Sequence, residues 1–275
     1  EEPYNFATYH ANILARRDHA KTLWFSWQNL ERRYPPPFSW IERFNLRHTD
    51  YAVVGSQTSG QIWQDKGYKG PLAVIPQFGV DPVIFSPPEN PRPTGTVQIV
   101  YAGRLVAEKG VDLLVHALAK LNGTWHATFL GNGPAEKELS ELVHTFNLDD
   151  YVTFKAHIPS SDMPDFYRKM DILVLPSRTL PNWTEQFGRV LVEAMACGVC
   201  VIGSDAGEIP HVIGDAGLVF PENNPELLRI HLQEFINNAE RREIFGQLGR
   251  QRVMKRFTQT HIAQATLEVY QEMLP

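Results

Sequence analysis

"VQIVYAGRLVAEKGVDLLVHALAKL", residues 97–121, reads in three parts. Residues 97–101 form a short β-rich run, and residues 111–121 carry apolar side chains at helical spacing. Between them lies a loop holding Gly103, Arg104, Lys109 and Gly110. A strand that passes into a helix through such a loop opens a β-α-β unit, and the neighbouring sequence decides whether the unit repeats.

It repeats downstream. "WHATFL" (125–130), "YVTF" (151–154), "DILVLP" (171–176), "VCVIGS" (199–204) and "GLVF" (217–220) are strand-like. "AEKELSELVHTF" (135–146), a short stretch near 163–169 and "GRVLVEAMAC" (188–197) are helical. This alternation predicts an α/β domain of Rossmann-like type, a parallel sheet covered on both faces. Ligands of such sheets bind beyond the carboxyl ends of the strands. The loops "AGRLVAEKG", "LGNGP", "KAHIPSS", "PSRTLPNWTEQFG" and "GSDAGE" are therefore expected to line one crevice.

Upstream, "KTLWFSWQNL" (21–30), "YAVVGS" (51–56) and "PLAVIP" (71–76) give about three strands, with helices near 39–48 and 57–66. They make a smaller, incomplete α/β layer. The proline-rich "DPVIFSPPENPRPTG" (81–95) reads as a linker. The expected organisation is a partial N-terminal unit over 1–87 with its linker from about 81, a second domain over 88–257, and a terminal helix over 258–275 packing back on the first unit.

Composition narrows the function. The chain has 275 residues, and 43% hydrophobic content suffices for a real core. Its 26 Lys and Arg against 31 Asp and Glu give a net charge of −5, and the paired arginines never grow into a basic block, which disfavours nucleic acid as a partner. No apolar run approaches the roughly 18 residues of a membrane span, and the first residues lack a signal peptide's basic start and apolar centre. A cytoplasmic location is expected, with peripheral membrane contact left open for a longer parent protein. Cys197 and Cys200 form "CGVC", half of a zinc or redox site without a second half, and are read as small core residues.

Several loops carry chemistry. Arg104 and Lys109 supply charges suited to a diphosphate, or else belong to a solvated loop with Glu108. Gly131, Asn132 and Gly133 follow a strand and open a helix, where free N–H groups meet an anion. They do not make a dinucleotide fingerprint, because Glu136 stands where GxGxxG needs glycine.

In "TEQFGRVLVEAMACG" (184–198), Glu185 and Glu193 are eight positions apart. On one helix that spacing overshoots two full turns by about 80°, so one carboxylate is expected outside the helix. Glu185, before the helix, can accept from sugar hydroxyls while first-turn N–H groups receive phosphate. Glu193 then lies roughly 12 Å further on, near the separation of hexose and ribose in a nucleotide sugar. The alternative pairs Glu193 with Arg189 at i, i+4 and leaves Glu185 to favour the helix dipole. Residue chemistry leaves both open.

Together, "GRLVAEKG", "LGNGP", the Glu-x7-Glu of "EQFGRVLVEAMACG" and "GSDAGEIPHVIGDAGLVF" resemble the retaining family-four glycosyltransferases of the GT-B fold, in the nucleotide-sugar-binding C-terminal domain. The resemblance covers about residues 75–275, and the earlier part loosely. It implies a GT-B architecture in which a Rossmann-like parallel-sheet domain is preceded by an incomplete second α/β domain. It implies transfer of a hexose from a nucleoside diphosphate sugar to a carbohydrate or other hydroxyl acceptor, with no metal or other cofactor. Arg104 and Lys109 would neutralise the diphosphate, and Glu185 would hold the sugar. Gly103, Gly131, Asn132, Gly133 and the backbone of Gln186, Phe187 and Gly188 would meet sugar and phosphates. Glu193 would bind the ribose, and His157 and Ile158 would lie near the base.

Three departures accompany the resemblance. About half of an N-terminal domain is expected to be missing before Glu1, so a nucleotide-sugar-binding piece without transferase activity is the competing reading. "FSWQN" (25–29) stands where many members carry a histidine, with Trp27 or Gln28 as its substitute. Cys200 and His211 replace a frequent proline and glutamate, changes expected to be structural.

Overall fold

The computed structural model describes residues 2–93 and 95–274. The chain divides into two compact units, Glu1–Gly79 with Gln259–Pro275, and Val80–Thr258.

The first unit runs α1 (Phe6–Arg17), β1 (Leu23–Ser26), α2 (Phe38–His48), β2 (Tyr51–Val54), α3 (Gln57–Asp65) and β3 (Leu72–Val74). The strands form a parallel sheet in the order β1-β2-β3. Successive residues of a strand face opposite sides, so a central strand covered on both is apolar throughout, as "YAVV" is. Ala52 and Val54 pack with Trp24, Leu46, Trp63 and Tyr68. Tyr51 and Val53 pack on the other side with Ile75 and Val269. Val269 belongs to the terminal helix, Gln259–Met273, whose Glu272 accepts a 2.9 Å hydrogen bond from the Tyr51 hydroxyl.

Helix α1 was not anticipated, and the reason is physical. Its buried positions are polar, Thr8 and Asn12, so it shows no inward apolar stripe. The Asn12 amide instead donates to Asn45 Oδ1 (2.9 Å) and Thr49 Oγ1 (3.1 Å), which satisfies buried polar groups across two helices.

The second unit contains β4 (Val97–Ala102), a 3-10 turn (Ala107–Lys109), α4 (Val111–Leu118), β5 (Trp125–Leu130), α5 (Glu136–Thr145), β6 (Val152–Lys155) and α6 (Met163–Tyr167). It continues with β7 (Ile172–Leu175), α7 (Arg189–Ala196), β8 (Cys200–Ser204), α8 (Ile209–Ile213), β9 (Leu218–Phe220), α9 (Pro225–Asn237) and α10 (Ala239–Arg256); the terminal helix is α11. All strand pairs are parallel, in the order β6-β5-β4-β7-β8-β9. The strand order reverses between β4 and β7. That switch point is where an open α/β sheet leaves a crevice beyond its carboxyl edge.

The proline-rich stretch 81–95 belongs to this second unit, which begins at Val80. Proline contributes carbonyls without N–H donors, and arginines supply the donors. Arg168 reaches the carbonyls of Ile84 (2.6 Å) and Ser86 (3.0 Å), and Arg250 those of Phe85 (2.5 Å) and Pro82 (2.8 Å). Among the described residues no helix is long and apolar enough to cross a membrane, and no cluster of three His, Cys, Asp or Glu could hold a metal ion.

Candidate active site

A cavity of about 500 Å³ opens at the carboxyl ends of β4, β5 and β6, beside the first turns of α7. Gly103 and Arg104 line it from the β4 loop, Gly131 and Asn132 from the β5 loop, and His157, Ile158 and Ser160 from the segment after β6. Arg189, Val190 and Glu193 close it from the helix.

The loops are held together by backbone. Gly131 has φ +139°, and a Cβ there would fall 1.9 Å from the Gly103 carbonyl oxygen. A Cβ on Gly133 would fall 2.1 Å from the Leu105 carbonyl oxygen. Only glycine lets the β4 and β5 loops approach this closely. Asn132 links three loops: its side-chain oxygen accepts from the His157 N–H (3.1 Å) and its carbonyl from the Leu105 N–H (3.0 Å). The buried Tyr101 hydroxyl donates to the Arg104 carbonyl (2.6 Å). Burial, then the charges of Glu185 and Glu108, push this phenol's pKa up, so it stays a donor. The Arg104 side chain is exposed and makes no ion pair among the described residues.

Glu193 is 4% exposed. Its Oε1 accepts from Arg189 Nε at 2.6 Å and its Oε2 from the Tyr167 hydroxyl at 3.2 Å. The i, i+4 ion pair therefore exists, and the same carboxylate lines the cavity. Tyr167, on α6, is fully buried, and its pKa is raised well above the ordinary phenol range by desolvation and then by the Glu193 charge. Nothing in its local sequence marked it.

Lys109 and Glu185 form a second cluster, outside the cavity lining. Lys109 Nζ lies 2.5 Å from Glu185 Oε2, which also accepts from the Ser177 hydroxyl (3.0 Å), and the ammonium sits 5.0 Å from the Trp183 ring centroid. The loop carrying Glu185 is tied down along its length. Arg178 grips Asp112 with two bonds of 2.8 and 2.5 Å and donates to Asn223 at 2.8 Å. The Thr179 hydroxyl donates to Glu222 (2.6 Å), and the Ser204 hydroxyl to the Ser177 carbonyl (2.6 Å). Ser177, Arg178, Trp183 and Asp112 were not singled out in the sequence, because their partners are remote along the chain.

Among the other expected residues, Gln186 is exposed and the Phe187 ring is buried edge-on to Phe257, at 5.7 Å and 74°. Gly188 caps α7 in the left-handed conformation (φ +78°), and Glu185 lies before the helix. Trp27 stacks on Phe78, while the Gln28 amide is buried with neither end hydrogen-bonded among the described residues. Cys197 and Cys200 are buried and free, the Cys197 thiol pushed up to about 12 by desolvation and that of Cys200 pushed up by burial and then by Asp171.

The sequence profile described as glycosyl transferases group 1 matches residues 84–252. An uncharacterized glycosyltransferase of Methanocaldococcus jannaschii is 31% identical over 176 residues, 63% of this chain and 48% of that protein. A lipopolysaccharide core biosynthesis mannosyltransferase of Rhizobium leguminosarum bv. viciae is 28% identical over 261 residues, 89% of this chain and 69% of that protein. Among solved structures, Anabaena HepE in complex with UDP has a TM-score of 0.83 at 19% identity, covering 97% of this chain and 76% of that one, a likeness of fold. The chain spans about half the length of the first of these relatives.

Proposed function

This chain belongs to the group 1 glycosyl transferases and has the Rossmann-like parallel sheets of the GT-B fold, and from that premise we propose that it carries the donor site of a retaining hexosyltransferase. The observation that carries the reading is the cavity at the switch point, where glycine loops, the exposed Arg104 and the buried Glu193 converge. The nucleoside occupies that cavity, with the base toward His157 and Ile158 and the ribose toward Glu193. The diphosphate runs past Gly103 and Arg104 toward Lys109, and the hexose meets Glu185 and the backbone ahead of α7.

Departure of the nucleoside diphosphate leaves an oxocarbenium-like sugar, so catalysis rests on cations aimed at the leaving group. Among the described residues Arg104 has no competing ion pair to break. Lys109 has one: its charge is balanced by Glu185 until the diphosphate offers a stronger anion, after which the Glu185 carboxylate can accept from sugar hydroxyls. In the transfer the bond from the sugar carbon to phosphate oxygen breaks, and the bond to the acceptor oxygen forms on the same face. The acceptor's proton passes to a donor phosphate oxygen. Glu185 and Glu193 are each engaged by at least two protein donors, which argues against the nucleophile role of a retaining hydrolase. No metal ion is required in this scheme.

Calorimetric titration with UDP, GDP and ADP tests the reading, and UDP comes first because HepE was solved with it. Binding of none of the three removes the donor site. Sugar transfer by the 275-residue chain, undiminished in EDTA and giving a product of unchanged anomeric configuration, supports the full proposal. Binding without transfer supports the narrower reading of a nucleotide-sugar-binding piece.

A further inference from the structure

We propose that Tyr167 and Arg189 are positioning residues that fix the plane of the Glu193 carboxylate, so that each of its oxygens keeps one acceptor site for the vicinal diol of a ribose. The inference rests on the donor reading of this cavity and goes beyond it, because Tyr167 stands outside the cavity lining.

An ionised carboxylate has two oxygens and about four lone-pair directions. Arg189 Nε takes one on Oε1 and the Tyr167 hydroxyl takes one on Oε2, which leaves one on each oxygen. A vicinal diol brings two O–H donors side by side. The terminal torsion of a glutamate is broad, so a carboxylate held at one oxygen still turns. Here the two tethers come from different elements, Arg189 one turn earlier on α7 and Tyr167 on α6.

The tethers also differ in kind. The Arg189 side chain is 57% exposed and lines the cavity, so this tether is solvent-accessible. Tyr167 is fully buried and absent from the lining, so it persists through a binding cycle. Its raised pKa, caused by burial and then by Glu193, keeps it a hydrogen donor over the working pH range. A buried carboxylate that must face one way without rotating is served by a donor with this placement.

The test is a set of calorimetric titrations of the whole chain with UDP and with 2′-deoxy-UDP, or with the GDP or ADP pair where that base binds more tightly. They are made on the unaltered protein, on Tyr167→Phe and on Arg189→Gln, each with its thermal midpoint. The unaltered chain is expected to prefer the ribonucleotide by about tenfold, the weight of one hydrogen bond to a charged group. Tyr167→Phe is expected to weaken UDP roughly threefold to tenfold and the deoxy ligand less, so the ratio narrows. Arg189→Gln alters an exposed side chain and is expected to narrow it too, which keeps the inference testable should Tyr167→Phe fail to fold. A role for Tyr167 in stability alone lowers the midpoint and scales both ligands equally. A ribose-to-deoxyribose ratio unchanged in the variants that fold overturns the inference while the donor site stands. If the unaltered chain binds no nucleoside diphosphate, the donor reading fails and this inference falls with it.

Discussion

The carboxyl edges of the two parallel sheets are closed in opposite ways. Beyond β4, β5 and β6, backbone meets backbone through Gly103, Gly131 and Gly133, and a cavity remains beside Arg104 and Glu193. Beyond β1, β2 and β3, an aromatic ring does the joining. Trp27 lies against Gly55, where a Cβ would fall 2.2 Å from its ring, stacks on Phe78 at 5.6 Å and donates to Gln77 at 3.1 Å. Both edges have the parallel geometry that gathers ligands. The larger one sets Gly103 and Gly131 beside the exposed Arg104, the combination an anion needs. The lesson is that topology selects the edge and loop chemistry selects the ligand.

Glycine substitutions give the strongest test of that contrast. Gly131→Val sets a side chain against the backbone carbonyl of Gly103, which cannot turn aside, and complete loss of UDP binding is expected by calorimetry. Gly55→Ala meets a side-chain ring that can shift, so its thermal midpoint should fall while UDP affinity holds. Equal loss of binding in both variants would break the comparison.

Charge comes next. Lys109→Ala removes the cation that Glu185 Oε2 meets at 2.5 Å and leaves a buried carboxylate without it, and removing one member of such a pair costs about 3–5 kcal/mol. The same change should weaken UDP by at least tenfold while leaving uridine affinity unaltered. The double variant Lys109→Met with Glu185→Gln should recover the thermal midpoint but not UDP affinity. Equal loss for UDP and uridine in Lys109→Ala would show that the lysine does not meet the diphosphate.

The first sheet supplies the converse. Trp63 is wholly buried at 5.3 Å from Trp24, and Trp63→Ala should cost about 3–5 kcal/mol in chemical denaturation with UDP affinity retained. The smallest effect concerns "CGVC". With Cys197 pushed up to about 12 and Cys200 also raised, both thiols stay protonated at pH 8, and iodoacetamide should label neither until the chain is unfolded. Rapid labelling of the folded chain would reopen a redox role.

Much of the larger edge was legible in the sequence because its determinants are local. A strand, a glycine loop and a helix follow within about two dozen residues in "VQIVYAGRLVAEKGVDLLVHALAKL". The Arg189–Glu193 pair is an i, i+4 contact. The three strands of the first unit were visible as apolar runs, whereas α1 was not, since Thr8 and Asn12 face inward. The stretch 81–95 looked like a linker because proline is read as a breaker. Its attachment depends on Arg168 and Arg250, residues far along the chain.

By itself, then, the sequence determined the alternation of strands and helices, the glycine loops, the family resemblance and the placing of Glu185 ahead of the helix that carries Glu193. Periodicity and short-range spacing encode these. Only the tertiary structure decided that Lys109 faces Glu185 across 76 positions, that Arg178 holds Asp112 across 66, and that Tyr167 reaches Glu193 across 26. The reason is that a parallel sheet brings its carboxyl-end loops together in strand order, not chain order. Which charge meets which carboxylate is set by the reversal between β4 and β7.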